Sequence, residues 1–201
     1  EKVDKIIVVS NHSKNVYENT HVVAVDSNTG KEIDYNLKTP IYAVNYPVKE
    51  YENLEELELN LEYDFNFLAV AQFGPRKNLP NTIKWFVEEF QDEEVGLVLK
   101  TNIAKNCLMD RETLKLDIKN FVAGLPEHKC KIYILHGDMT DEEMHSLYRH
   151  PKVSALVALP HGEGYGLPIF EAAYSGIPII APGWSGQCDF LYMPSESKSK
   201  K

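Results

Sequence analysis

The chain has 201 residues, with 43% hydrophobic and 25% charged side chains and a formal net charge of -9. Eleven Tyr and eight Phe provide too much burial for intrinsic disorder over most of the length, and no run of about 18 apolar residues marks a membrane span. The acidic balance excludes a nucleic-acid backbone as partner, but not a small phosphorylated ligand held by local amides and one or two cations.

Residues 5–10 form a short, β-branched apolar run that reads as a buried strand. Residues 11–19 are polar and predict a loop with a turn or two of helix. Residues 21–25 predict a short strand, 27–30 a turn, 31–40 a linker, and 41–46 another strand ended by Pro47. Two acidic runs, 50–62 and 88–94, read as solvated faces. Cys107, Cys130 and Cys188 are an odd number without metal-type spacing, and residues 1–4 lack the basic start of a signal peptide. A reducing, cytoplasmic setting fits that pattern.

From Phe65 the rhythm becomes regular. Strands are predicted at 67–71, 95–99, 131–135, 153–159 and 177–181. Between them lie helices at 81–90, from Asp110 through Val122, at 140–150 and at 167–175. Thr140 and Glu143 have the spacing of a capping box. Strands alternating with helices predict a Rossmann-like, doubly wound parallel α/β sheet over roughly 65–194, behind a less regular leader. Residues 195–201 read as a disordered, Lys-rich tail.

Open α/β sheets bind ligands at the carboxyl ends of their strands. One such segment stands out: Gly162, Gly164 and Gly166 alternate between the fourth strand and a helix with Pro168 in its first turn. Glycines admit a close backbone approach, and the N–H groups opening a helix suit a phosphate. A tight turn kept for packing alone would look the same. A P-loop is excluded by the missing Gly-Lys-Ser/Thr, and a dinucleotide fingerprint by Leu167 in place of its third Gly. Glu163 and Glu171 bracket this segment. Phosphate repels carboxylates, so these two should face hydroxyls.

The stretch from Glu163 to Glu171, continued by residues 175–181, resembles the donor-binding half of retaining GT-B-fold glycosyltransferases of family four, the glycosyl transferases group 1. The resemblance implies one half of a GT-B fold and transfer of a sugar from a nucleoside-diphosphate donor with retained configuration. Glu163 then holds the transferred sugar's hydroxyls, and Glu171 those of the ribose. Residues 70–78 resemble the family's diphosphate loop. Lys77 matches its Lys, Gln72 stands at its usual Arg, and Arg76 is a candidate replacement. Read alone, Arg76 and Lys77 would be an exposed basic turn. The amides of Gly164, Tyr165, Gly166 and Leu167 complete the cradle, and His161 either touches the donor or caps the loop. Residues 137–143, with Leu147 and Tyr148, resemble the family's strand–Gly–loop–helix step, whose loop borders the nucleobase, and Thr101 and Asn102, after the second strand, occupy a nucleotide-facing place in that fold.

The same resemblance makes residues 1–40 the end of an acceptor-binding domain with its linker, and 41–194 the donor domain. It implies a piece of a larger enzyme, inactive alone, whose acceptor is unknown. It also implies a cytoplasmic location, with membrane association through the missing domain. The nucleotide sugar is a substrate, so no cofactor is expected. Asp141 and His145 share a helix face without a third ligand, so no metal site is expected either. Two other readings remain: an epimerase or hydrolase on the same architecture, or a catalytically silent nucleotide-binding module, towards which Gln72 leans.

Overall fold

The computed structural model describes residues 3–51 and 54–192. The expected disorder of 195–201 lies outside them. Internal contacts divide the chain into two compact units. One contains the described parts of Glu1–Pro47, Glu163–Gly166 and Trp184–Lys201; the other contains those of Val48–Gly162 and Leu167–Gly183.

In the first unit, β1 (Ile6–Val8) leads into α1 (Asn11–Asn19). The N-cap residue Ser10 accepts from the Ser13 N–H at 3.0 Å, which starts a nine-residue helix where the polar sequence predicts a turn or two. Strands β2 (His21–Val25) and β3 (Glu32–Asn36) then pair antiparallel, and β4 (Ile41–Ala43) pairs parallel with β1. Strand β3 corrects the expected linker at 31–40. Its charged residues Glu32 and Asp34 alternate with Ile33, and all three are exposed, so the usual apolar signal is weak. The turn carries the instruction instead: Asp26 Oδ1 accepts from the N–H groups of Asn28 and Thr29, and Gly30 takes φ +64°.

The second unit is built on β5 (Asn66–Val70), α2 (Leu79–Phe90), β6 (Gly96–Lys100), α3 (Leu108–Ala123) and β7 (Lys131–Leu135). It continues through α4 (Asp141–Tyr148), β8 (Val153–Val157), α5 (Leu167–Ser175) and β9 (Ile179–Ile180). The strands form one parallel sheet in the order β7-β6-β5-β8-β9. Leu97 and Leu99 of the sheet bury completely with Ile83 and Val87 of α2 and Leu114 of α3, and Leu68 is equally buried. Each fully buried side chain of this kind stabilises by about 1.5–3 kcal/mol. The predicted capping box at Thr140 and Glu143 is present with both of its bonds.

The edges differ from the expected ones where proline intervenes. Helix α2 starts at Leu79 and takes Pro80 into its first turn, where a missing N–H costs nothing. Strand β9 keeps two residues of the expected five, because Pro178 and Pro182 flank it and neither donates to a ladder. Back in the first unit, α6 (Cys188–Leu191) is a single turn, too short for periodicity to announce. The decisive feature is strand order: the chain runs outward from β5 through β6 and β7, then returns to lay β8 against the other side of β5. The switch point of the sheet lies between the carboxyl ends of β5 and β8.

Candidate functional site

Both loops at that switch point carry residues singled out in the sequence, and the structure ties them together. After β5 the chain enters a 3-10 turn, Pro75–Lys77, and Asn78 takes the left-handed conformation at φ 58°. Buried Asn78 donates through Nδ2 to the Leu159 carbonyl at 3.1 Å, and accepts from Asn81 at 2.6 Å. Arg76 is tied twice to the loop after β8: its carbonyl accepts from the His161 N–H, and its guanidinium donates to the Gly162 carbonyl, each at 2.9 Å. Lys77 follows directly, partly exposed. Gln72 turns the other way, donating to the Ile103 carbonyl at 2.7 Å, and so links the exits of β5 and β6.

Next to that link, Asp110 accepts from the N–H groups of Ile103, Ala104 and Lys105 and from His136 Nε2. Burial pushes its carboxyl up, but these donors outweigh burial and hold it well below the usual carboxylate range. Lys100 donates to the carbonyl of Gly137, in the loop expected to border a nucleobase, and burial lowers its ammonium. Buried Thr101 has an Oγ1 that makes no hydrogen bond among the described residues.

Helix α5 begins at Leu167, immediately after Gly166, whose φ of +90° suits glycine. Glu171 lies one turn in, half-buried. Its Oε2 accepts from the hydroxyl of Tyr148 at 3.0 Å, and Tyr148 is fully buried. Burial raises the Glu171 carboxyl, and the Tyr148 bond acts against that rise. The Asp141–His145 pair has separate partners: Asp141 accepts from Lys49 and Tyr51, whereas His145 is buried with Nδ1 3.0 Å from Ser175 Oγ. Among the described residues, no cluster of three His, Cys, Asp or Glu could hold a metal, and no helix is long and apolar enough to cross a membrane.

The segment Glu163–Gly166 belongs to the first unit and is gripped there from two sides. Ser185 Oγ accepts from the Glu163 N–H at 2.8 Å and donates to the Glu163 carbonyl at 2.6 Å. The Gly186 N–H donates to the same carbonyl at 3.0 Å. Ser10 Oγ donates to the Gly164 carbonyl at 2.5 Å. A Cβ on Gly186 would stand 2.0 Å from the Gly164 oxygen. The Tyr165 ring is buried, with ring centroids 4.9 Å from Phe190 and 5.2 Å from Tyr46. Sequence reasoning missed Ser185 and Gly186, and the bonds that Ser10 and Tyr148 make. The Ser-Gly pair beyond the last strand was the available signal for the first two.

No protein-family model and no curated protein sequence matches the chain. Solved structures do resemble it. A point mutant of S. aureus TarM, in complex with fondaparinux, alpha-GlcNAc-glycerol and UDP, aligns at a TM-score of 0.55 and 13% identity over 96% of this chain and 32% of its own. OtsA in its apo form aligns at 0.54 and 10% identity, over 92% of this chain and 47% of its own. The chain thus spans less than half the length of either protein. Both are GT-B glycosyltransferases, and at these identities the shared property is the fold: an α/β, Rossmann-like half of that architecture.

Proposed function

We propose that this chain is the nucleotide-sugar-binding part of a retaining glycosyltransferase of family four. The observation that carries the proposal is the double bond pattern of Arg76 to residues 161 and 162. It fastens the basic loop to the strand end that leads into the glycine loop, at the one place in the sheet where strand order reverses. The fold shared with glycosyltransferases supports the reading, as does TarM having UDP in its complex. In the proposed reaction the bond between the anomeric carbon and the diphosphate oxygen breaks, the nucleoside diphosphate leaves with the electron pair, and an acceptor hydroxyl oxygen takes its place on the same face, its proton passing to the departing diphosphate.

The residues divide by charge. Lys77, Arg76 and the amides from Gly164 to Leu167 bind the diphosphate and stabilise its growing negative charge without a metal. Tyr165 serves through its backbone, since its ring is committed to packing. Glu163 binds hydroxyls of the transferred sugar, Glu171 binds the ribose, and His161 caps the loop beside the donor. Residues 1–40 finish the acceptor-binding domain, 41–194 hold the donor, and the partner domain brings the acceptor and any membrane association. The enzyme works in the cytoplasm. Calorimetric titration with UDP, GDP and ADP tests the reading: binding of one supports it, and binding of none overturns it. Gln72 favours a second reading, a catalytically silent module, because its amide is engaged by Ile103 and brings no positive charge. Nucleotide binding without transfer, once the acceptor half is supplied, would select it.

A further inference from the structure

Tyr148 ends α4 with no exposed surface, yet its hydroxyl is not spent on backbone; it donates to Glu171 Oε2 on α5 at 3.0 Å. A buried phenol needs a partner. A carboxylate is a demanding choice, since both groups must then stay aligned. Oε1 of Glu171 makes no hydrogen bond among the described residues. Burial pushes the Glu171 carboxyl up, the Tyr148 hydroxyl pulls it down, and the Asp141 charge on α4 pushes it up again. Strand β9, which also packs on α5, contributes only Ile179 and Ile180. Burial, with help from Glu171, drives the Tyr148 phenol far above its ordinary range, so it remains a donor.

We infer that Tyr148 is a positioning residue for nucleoside recognition: by fixing Oε2 of Glu171 it presents Oε1 as the acceptor for the ribose hydroxyls. This rests on the reading of Glu171 as the ribose ligand. Without the hydroxyl the carboxylate gains rotamer freedom and protonates more readily, and both effects weaken it as an acceptor.

The test compares UDP, GDP and ADP with their 2′,3′-dideoxy counterparts by calorimetry, on the wild-type chain and on Tyr148→Phe, with melting curves as a fold control. The wild type is expected to prefer the ribonucleotide. Tyr148→Phe should narrow that preference by about three- to tenfold and move the acid limb of binding to higher pH, which a purely structural tyrosine would not do. In a Glu171→Gln background the same substitution should leave the preference unchanged. An unaltered preference and acid limb in Tyr148→Phe would overturn the inference while leaving the donor site standing. A wild type that binds no nucleotide would overturn the donor-site reading itself. Should Tyr148→Phe fail to fold, a solvent H/D isotope shift at the Glu171 carboxyl carbon of the wild type is expected to persist with UDP bound, and its loss on binding would overturn the inference.

Discussion

Arg76 and Gly162 are joined by a 2.9 Å hydrogen bond from guanidinium to carbonyl, although the Arg76 side chain is largely exposed. The clamp joins two loops that sequence separates by more than 80 residues and only the strand order brings together. Arg76→Ala should therefore cost below about 1 kcal/mol of stability, as exposed substitutions do, while lowering nucleotide affinity by about tenfold. Arg76→Lys should recover little, since a point charge does not reproduce a planar fork. Calorimetry and melting on the three proteins decide the matter; unchanged affinity in Arg76→Ala would remove Arg76 from the site.

Lys77 makes the sharper demand. If it stabilises charge on the leaving diphosphate, Lys77→Ala should lower turnover of the enzyme, assayed with its acceptor half, by roughly 10²–10³. An unchanged rate rules the role out.

Gly186 tests how tightly the glycine loop is gripped. Its Cβ would meet the Gly164 carbonyl oxygen at 2.0 Å, so Gly186→Ala must push backbone apart. A loss of about 1–3 kcal/mol in chemical denaturation is expected, the usual cost of overpacking. Gly74 is the control. It has nothing within 4 Å of a Cβ and an extended φ of -155°, so Gly74→Ala should be neutral for stability.

Asp110 links the fold to pH. Its carboxyl is depressed in the folded chain, so at acid pH the unfolded state binds a proton that the folded state does not. The stability it contributes is complete above the ordinary Asp value of about 3.9 and disappears as pH falls towards the depressed folded value. Asp110→Asn should therefore melt earlier than wild type at neutral pH, and the gap should narrow steadily as pH falls below about 3.9. Thermal melts across that range check it; a gap that stays constant with pH would contradict the assignment.

The sheet was legible because each of its strands is apolar on both faces and each intervening helix keeps a three-and-four spacing. Phe67 to Val70 and Leu97 to Leu99 needed no tertiary information. Strand β3 was not legible, since Glu32, Asp34 and Asn36 are exposed and carry no apolar signal. In the site, Glu163, Glu171 and the glycines could be read from a contiguous motif. Their supports could not: Tyr148 lies 23 residues before Glu171, and Ser185 lies 22 after Glu163. Neither spacing has a local physical meaning. A buried tyrosine in a helix reads as core until its hydroxyl is seen to meet a carboxylate.

The most direct test of the central claim is to map backbone amide shifts while titrating UDP, GDP or ADP into the isotope-labelled chain. The switch-point account predicts that the bound nucleotide moves the amides of residues 71–78 and 158–167 first and furthest. Shifts centred instead on the groove beside the amino end of β8, lined by Leu54, Ser146 and His150, would contradict it, as would no shifts with any of the three.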